Sequence, residues 1–311
     1  MERWTAEDIP DQRETIHLIT GGNSGLGWES ALALVRNGAQ VIMGSRSTSK
    51  GEEARQAILK IVPSASINVM ALDLASLTSI RRFVDTFKAK YRQLNVLMNN
   101  AGLMAVPQSK TEDGFEMQFG VNHLGHFVLT GLLYDVLVNT PNSRVVTVSS
   151  GLHENGVMNF ENLMLVNEYR GFKAYSQSKL ANLLFAYELQ RKFEREGVSS
   201  ISVGTHPGFT ATNLQKMGKA RLNPVSWVLS RVMAQPAAIG VLPQLYAATA
   251  PDVVGGAYYG PGGFQKMRGH PELQKSAEAS YDQAAAKRLW EASVKLTGIR
   301  YPERAAAKAR V

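Results

Sequence analysis

Tyr175 and Lys179 stand four residues apart in Ala174-Tyr175-Ser176-Gln177-Ser178-Lys179, the spacing that puts a phenol and an ammonium on one face of a helix. A cation held near a phenol favours the phenolate and lowers a pKa that starts at about 10. The pair therefore predicts a tyrosine able to exchange protons near neutral pH. A surface helix carries the same spacing by chance, so the elements around it must decide between the two readings.

Those elements begin with Thr15 to Thr20, an apolar strand running into Gly21-Gly22-Asn23-Ser24-Gly25-Leu26-Gly27. The next segment repeats Leu26, Ala31, Leu34 and Val35 at near-helical spacing and stops at Asn37-Gly38, a C-cap pattern. Strand, glycine turn and helix are the context that dinucleotide binding requires. Glycines 21, 25 and 27 let the backbone approach a diphosphate held on the free amides of a helix N-terminus. An ordinary glycine-rich turn reads the same until the rest of the chain is considered. A second strand over Gln40 to Gly44 leads to Ser45-Arg46-Ser47 and a charged helix from about Lys50 to Val62. An acid at this strand end suits a ribose 2′-hydroxyl, whereas a cation suits a 2′-phosphate, so Arg46 predicts NADP(H) rather than NAD(H).

The alternation continues through strand Ile67 to Ala71, helix Leu77 to Tyr91 and strand Val96 to Asn99. Such βαβ units predict a Rossmann-type, doubly wound parallel sheet with helices on both faces and ligands beyond the strands' carboxyl ends. Asp73 and Asn99-Asn100-Ala101-Gly102 then fall on the binding edge, although Asp73 also suits a helix cap. A single helix is expected near Gly114 to Val138, carrying Asn122, His123 and His126. The two histidines lack a third ligand at metal-site spacing and read as packing or surface residues. Strand Arg144 to Val148 delivers Ser150, and strand Ile201 to Thr205 delivers His206-Pro207-Gly208-Phe209-Thr210-Ala211-Thr212. Residues 213–236 read either as an apolar lid over a substrate pocket or as a helix docked on the core. Gly256 to Tyr259 is expected to be the last strand, and Glu272 to Leu296 a closing helix.

Composition narrows the classes. The chain has 311 residues, of which 44% are hydrophobic, which is enough for one large domain with a buried core. Cysteine is absent, which excludes disulfides and thiolate chemistry and fits a cytoplasmic location. Met1 to Glu14 is polar, without the apolar run of a signal peptide, and no membrane span is found. A net charge of +8 arises from scattered basic residues apart from Arg300, Arg304, Lys308 and Arg310. No aromatic-basic interleaving indicates nucleic acid. That basic end, with the 213–236 stretch, allows weak peripheral contact with an anionic membrane.

Thr20-Gly21, Gly25-Leu26-Gly27, Asn99-Asn100-Ala101-Gly102, Asn122, Ser150, Tyr175, Lys179 and Pro207-Gly208 occur in an order that resembles the short-chain dehydrogenase/reductase family across about residues 15–260. The phrase Val121-Asn122-His123-Leu124-Gly125-His126-Phe127, the long spacing from Ser150 to Tyr175, and Leu289-Trp290-Glu291 are similar to its retinol dehydrogenase and protochlorophyllide reductase branch. The resemblance implies a hydride-transferring oxidoreductase acting on a carbonyl or alcohol of an apolar small molecule. Tyr175 would be general acid or base, Lys179 the ribose-binding partner, Ser150 the donor to the substrate oxygen, and Asn122 the support of a water-linked relay.

The implied cofactor contacts are Gly21, Asn23, Ser24, Gly25, Leu26 and Gly27 at the turn, then Ser45, Arg46, Asp73 and Leu74. Asn100, Ala101, Gly102, Tyr175, Lys179, Pro207, Gly208, Thr210 and Thr212 complete the set. The expected architecture is one Rossmann-type α/β domain with a core over about 15–260, a lid over about 213–236 and a C-terminal helical extension over about 265–311. A dinucleotide-sensing protein on the same fold is the alternative, and it would not need Ser150, Tyr175 and Lys179 together.

Overall fold

The computed structural model describes residues 3–210 and 235–304. The expected Thr212 contact, the 213–236 lid, and Lys308 and Arg310 of the basic end lie wholly or mostly outside these residues.

Strands β1 (Ile16–Thr20), β2 (Gln40–Ser45), β3 (Ile67–Ala71), β4 (Val96–Asn99), β5 (Arg144–Val148), β6 (Ile201–Thr205), β7 (Tyr258–Pro261) and β8 (Pro271–Leu273) form one sheet in the order β3-β2-β1-β4-β5-β6-β7-β8. The first seven are parallel, and β8 runs antiparallel along β7. The two-residue period of a strand sends neighbouring side chains into opposite layers. Leu18, Ile42, Leu97 and Val145 pack into one core, while Ile19, Val41, Met43, Met98 and Val146 pack into the other. With both faces covered, the central strands have no solvent side, which is why they read as continuous apolar runs.

Helix α1 (Gly25–Arg36) follows β1 and ends at Asn37 with Gly38 at φ +91°. Helices α2 (Thr48–Ile61) and α3 (Leu77–Lys90) start at Ser47 and Ser76, whose hydroxyls accept from the amides of Lys50 and Ser79. The single helix expected near Gly114 to Val138 is instead broken. Gly114 sits at φ +86°, and the Glu116 carboxylate caps the amides of Gln118 and Phe119, so helix starts only at α4 (Met117–Phe119). A π-helical turn over Gly120–Leu124 follows, then α5 (Gly125–Leu132) and α6 (Tyr134–Asn139), separated at Leu133 by φ −95° and ψ 2°. A β-carbon at Gly125 would lie 2.6 Å from the Leu74 carbonyl oxygen, so only glycine lets this segment approach the β3–α3 connection.

Helix α7 (Gly171–Glu196) carries the Tyr175–Lys179 pair and ends at Gly197, φ +63°. After α8 (Ala237–Gly240) and α9 (Leu242–Thr249), the chain returns through β7. The closing helix expected from Glu272 is corrected. Glu272 and Leu273 pair with Gly260 and Tyr259 in β8, and α10 (Gln283–Thr297) begins only where Asp282 caps the Ala285 amide. Segment 265–304 is thus part of the sheet and core. Trp290 of α10 meets the rings of Phe127, Phe185 and Tyr301 at 5.2, 5.9 and 4.5 Å. Arg304 of the basic end bonds Asn139 Oδ1 at 3.2 Å. Among the described residues no helix is long and apolar enough to cross a membrane.

Candidate active site

The sheet order reverses between β1 and β4, the switch point at which open α/β sheets leave a crevice at their carboxyl ends. The glycine turn lies there. Gly21 holds φ +67°, and a β-carbon at Gly27 would stand 2.3 Å from the Gly21 carbonyl oxygen and 2.8 Å from Asn100 Nδ2. Ser24, the N-cap of α1, makes no side-chain cap bond, which leaves the first-turn amides to another acceptor.

Thr20, at the end of β1, escaped the reading of single residues. Its hydroxyl oxygen accepts from the amides of Asn100 and Ala101, at 3.0 and 2.9 Å, and Asn100 Nδ2 donates to the Thr20 carbonyl at 2.8 Å. His126 continues the chain: its Nδ1 lies 3.0 Å from the Asn122 carbonyl oxygen, and its Nε2 lies 2.9 Å from Thr20 Oγ1. A carbonyl only accepts, so Nδ1 carries the proton and Nε2 accepts from Thr20. Burial lowers the pKa of His126 to about 4, so the neutral ring this bonding needs prevails. It is a packing residue, and it joins the glycine turn to the π-turn that carries Asn122.

The other expected cofactor contacts fall in different settings. Arg46 is exposed just past β2. Ser45 is buried, with its hydroxyl donated to the Ser47 carbonyl at 2.8 Å. Asp73 accepts from the Ala75 amide at 2.9 Å and is not a helix cap, a role that belongs to Ser76. Leu74 packs into the core. Gly208 stands at φ +65° after β6, and a β-carbon there would meet the Met267 carbonyl oxygen at 2.3 Å. Thr210 donates its hydroxyl to the Pro207 carbonyl at 2.7 Å.

Tyr175 and Lys179 share one face of α7, as their spacing predicts. Lys179 Nζ donates to the Val148 carbonyl at 2.9 Å and stands 5.7 Å from the Tyr175 ring centroid. The expected fall in the tyrosine pKa is not what the site produces. Burial raises Tyr175 to about 12, opposed by a hydrogen bond with Ser150, and burial lowers Lys179 to about 8. Withdrawal of the phenol from water outweighs the distant, already hydrogen-bonded ammonium. At neutral pH the tyrosine is therefore protonated and the lysine still charged.

Asn122 is held within the π-turn. Its Oδ1 accepts from the Leu103 amide at 2.8 Å, and its Nδ2 donates to the Leu103 carbonyl and to Ser178 Oγ, each at 2.9 Å. A β-carbon at Gly102 would crowd Asn122 Oδ1 at 3.3 Å and Lys179 Nζ at 3.5 Å. Asn122, Gly102 and Lys179 thus form one packed floor. Ser150, at the end of β5, receives the Leu152 amide on its hydroxyl at 3.3 Å. Gly102, Ser150, Tyr175 and Lys179 line a cavity of about 610 Å³ whose other walls include Leu26, Met104, Val148, Phe172, Phe209 and Met267, and Asn122 stands behind Gly102. Among the described residues no group of three metal-ligating side chains gathers.

Comparison with known proteins agrees with this geometry. The profile of the short chain dehydrogenase family matches residues 15–222. Retinol dehydrogenase 14 of Mus musculus is 40% identical over 300 residues, covering 91% of this chain and 85% of that protein. Polyprenol dehydrogenase of Homo sapiens is 37% identical over 300 residues, covering 94% and 87%. A crystal structure of an uncharacterised protein from Mycobacterium paratuberculosis is 40% identical, covers 96% of this chain and 99% of its own, and superposes with a TM-score of 0.81.

Proposed function

We propose that this chain, which belongs to the short-chain dehydrogenase family and to its retinol dehydrogenase-like branch, is an NADP(H)-dependent oxidoreductase of apolar alcohols and carbonyl compounds. One observation carries the reading: Ser150, Tyr175 and Lys179 line a single cavity that also reaches Leu26 of the glycine turn.

The residues present fit a dinucleotide. An uncapped α1 N-terminus faces a turn in which a β-carbon at Gly27 has no room, so backbone amides and the helix dipole can meet a diphosphate closely. Arg46 is exposed just past β2, the strand end at which a 2′-phosphate is read, and its guanidinium suits that group. Thr20 holds the amides of Asn100 and Ala101, Asn122 holds that of Leu103, and Asn100 and Gly102 line the cavity between them. A bound nicotinamide supplies or takes the hydride.

The chain's own residues handle the proton. In carbonyl reduction Tyr175 donates its phenolic proton to the substrate oxygen; in alcohol oxidation it takes that proton back. With its pKa pushed up to about 12 by burial, the phenol holds its proton at neutral pH, so its resting state carries the proton that reduction consumes, and the charge of Lys179 supports its release. Ser150 donates to the same oxygen and orients it. Lys179 supports the charge that develops on the phenol and holds the nicotinamide ribose. The relay implied for Asn122 belongs to this proposal as well, and the π-turn that holds Asn122 stands against Gly102 of the cavity wall. The apolar lining from Met104, Phe172, Phe209 and Met267 supports an apolar substrate, and the two relatives named for retinol and polyprenol dehydrogenation point the same way.

The test is a panel of apolar aldehydes and ketones assayed by NADPH absorbance, with the matching alcohols and NADP⁺ in reverse. Turnover of panel members is expected. Tight NADPH binding without turnover in either direction would contradict the enzymatic reading and favour cofactor sensing.

A further inference from the structure

We propose that His153 is a positioning residue for Ser150, fixing the backbone from which that hydroxyl meets the substrate. The inference rests on the role proposed above for Ser150.

His153 is 1% exposed and lies in the short 3-10 turn, Gly151–Asn155, that follows Ser150. Its Nδ1 is 2.7 Å from the Ser150 carbonyl oxygen, and its Nε2 is 3.0 Å from the amide nitrogen of Ala277. The first partner can only accept and the second can only donate, so the tautomer is determined: Nδ1 carries the proton and Nε2 offers its lone pair. One neutral imidazole thereby ties the Ser150 peptide to a segment 124 residues away in sequence. That segment includes Gln274 and Lys275, which line the same cavity as Ser150 and Tyr175.

The ring has little freedom to do otherwise. It meets Tyr258 edge-on at 5.5 Å, and Tyr258 stacks on His206 at 5.2 Å. His206 in turn receives the Gly208 amide on Nδ1 and bonds Gln274 through Nε2. Ser150 sits in extended backbone, φ −158° and ψ 152°, with its hydroxyl already near Tyr175 and the Leu152 amide. A carbonyl locked at 2.7 Å limits rotation of the adjoining peptides, and with it the direction of Cβ–Oγ. Burial keeps the ring neutral, while Glu154 and Lys266 pull its protonation in opposite directions.

Two conservative substitutions separate the two bonds. The amide nitrogen of Asn is as many bonds from Cα as Nδ1, so His153→Asn retains the donor to Ser150 and loses the tie to Ala277. The amide of Gln reaches the Nε2 position, so His153→Gln retains an acceptor for Ala277 and loses the Ser150 bond. Ala277 has φ −58°, which proline shares, so Ala277→Pro removes the amide proton that His153 accepts while keeping the Ala277 backbone angle.

Steady-state kinetics with a carbonyl compound that the wild type reduces, NADPH binding by fluorescence, and thermal melts are measured for all three and for Ser150→Ala. The expected result is a kcat within about threefold of wild type for His153→Asn and Ala277→Pro, both with lowered melting temperature, and a loss of about tenfold or more for His153→Gln at unchanged NADPH affinity. His153→Gln matching His153→Asn, or Ala277→Pro losing as much kcat as Ser150→Ala while still folded, overturns the proposal. If Ser150→Ala itself retains wild-type kcat, the role of Ser150 has failed instead, and the two failures remain distinct.

Discussion

On the glycine-turn side of the cavity the contacts offered to a ligand are mostly backbone, supplied by one run from Thr20 to Gly27 that packs against Asn100, Ala101 and His126. On the opposite side the contacts are side chains. Ser150 follows β5, Tyr175 and Lys179 come from α7, and the set is held by partners as distant as Ala277. The first side is set by conformation and close approach, the second by burial and hydrogen-bond direction. Substitutions should therefore fail differently on the two sides: steric or charge changes on the first should alter cofactor affinity, and polar deletions on the second should alter turnover.

Lys179 belongs to both sides, and replacing it should have the largest effect. Lys179→Met removes the ammonium, its bond to the Val148 carbonyl and a proposed ribose contact. Turnover should fall by about a hundred- to ten-thousandfold, with weaker NADPH binding as well. A loss confined to binding would place Lys179 wholly with the glycine turn and break the comparison.

Arg46→Ala should act on one side alone. The pair it would make with a 2′-phosphate is worth about 1.5 to 3 kcal/mol, or about ten- to more than a hundredfold in NADPH affinity. NADH should bind the variant as it binds the wild type, and equal losses for both would remove Arg46 from the cofactor site. Gly27→Ala should be milder and unselective. Its new methyl must be accommodated 2.3 Å from a carbonyl oxygen, and overpacking of this kind costs about 1 to 3 kcal/mol. A lower melting temperature and similar losses in NADPH and NADH affinity are expected; selective loss of NADPH would show that the turn reads the 2′-phosphate.

The difference between the two sides also governs what was readable before any coordinates. The strand, glycine turn and helix from Thr15 to Gly38 are local, and their pattern places them within a residue or so of where they lie. Tyr175 and Lys179 are likewise joined by helical periodicity alone. The failures involve distant partners. Residues 114–138 carry enough apolar residues for one helix, yet Glu116 capping and the approach of Gly125 to Leu74 break it into pieces. Strand β8 has only three residues and exists because β7 lies beside it. The rise in the Tyr175 pKa follows from how deeply α7 is buried, which the four-residue spacing does not encode. Thr20, His126 and His153 each make a hydrogen bond to a residue at least 80 positions away in sequence, which no local pattern encodes. A histidine repeated within an apolar helical stretch was the one available signal for His126.

The central claim is that the buried phenol of Tyr175 carries the proton, and the pH dependence of alcohol oxidation by wild type and Tyr175→Phe tests it most directly. The phenol has a pKa raised to about 12, so the base form is a minor species at neutral pH and its fraction grows about tenfold per pH unit. Wild-type oxidation should climb with pH from neutrality toward about 8, where Lys179 begins to lose its own proton and its support for the phenolate. Tyr175→Phe should bind NADP⁺ as the wild type does, lose about a hundred- to ten-thousandfold in turnover, and show no such climb. Near-normal turnover in Tyr175→Phe, with the rise in pH preserved, would contradict the account and assign the proton to another group.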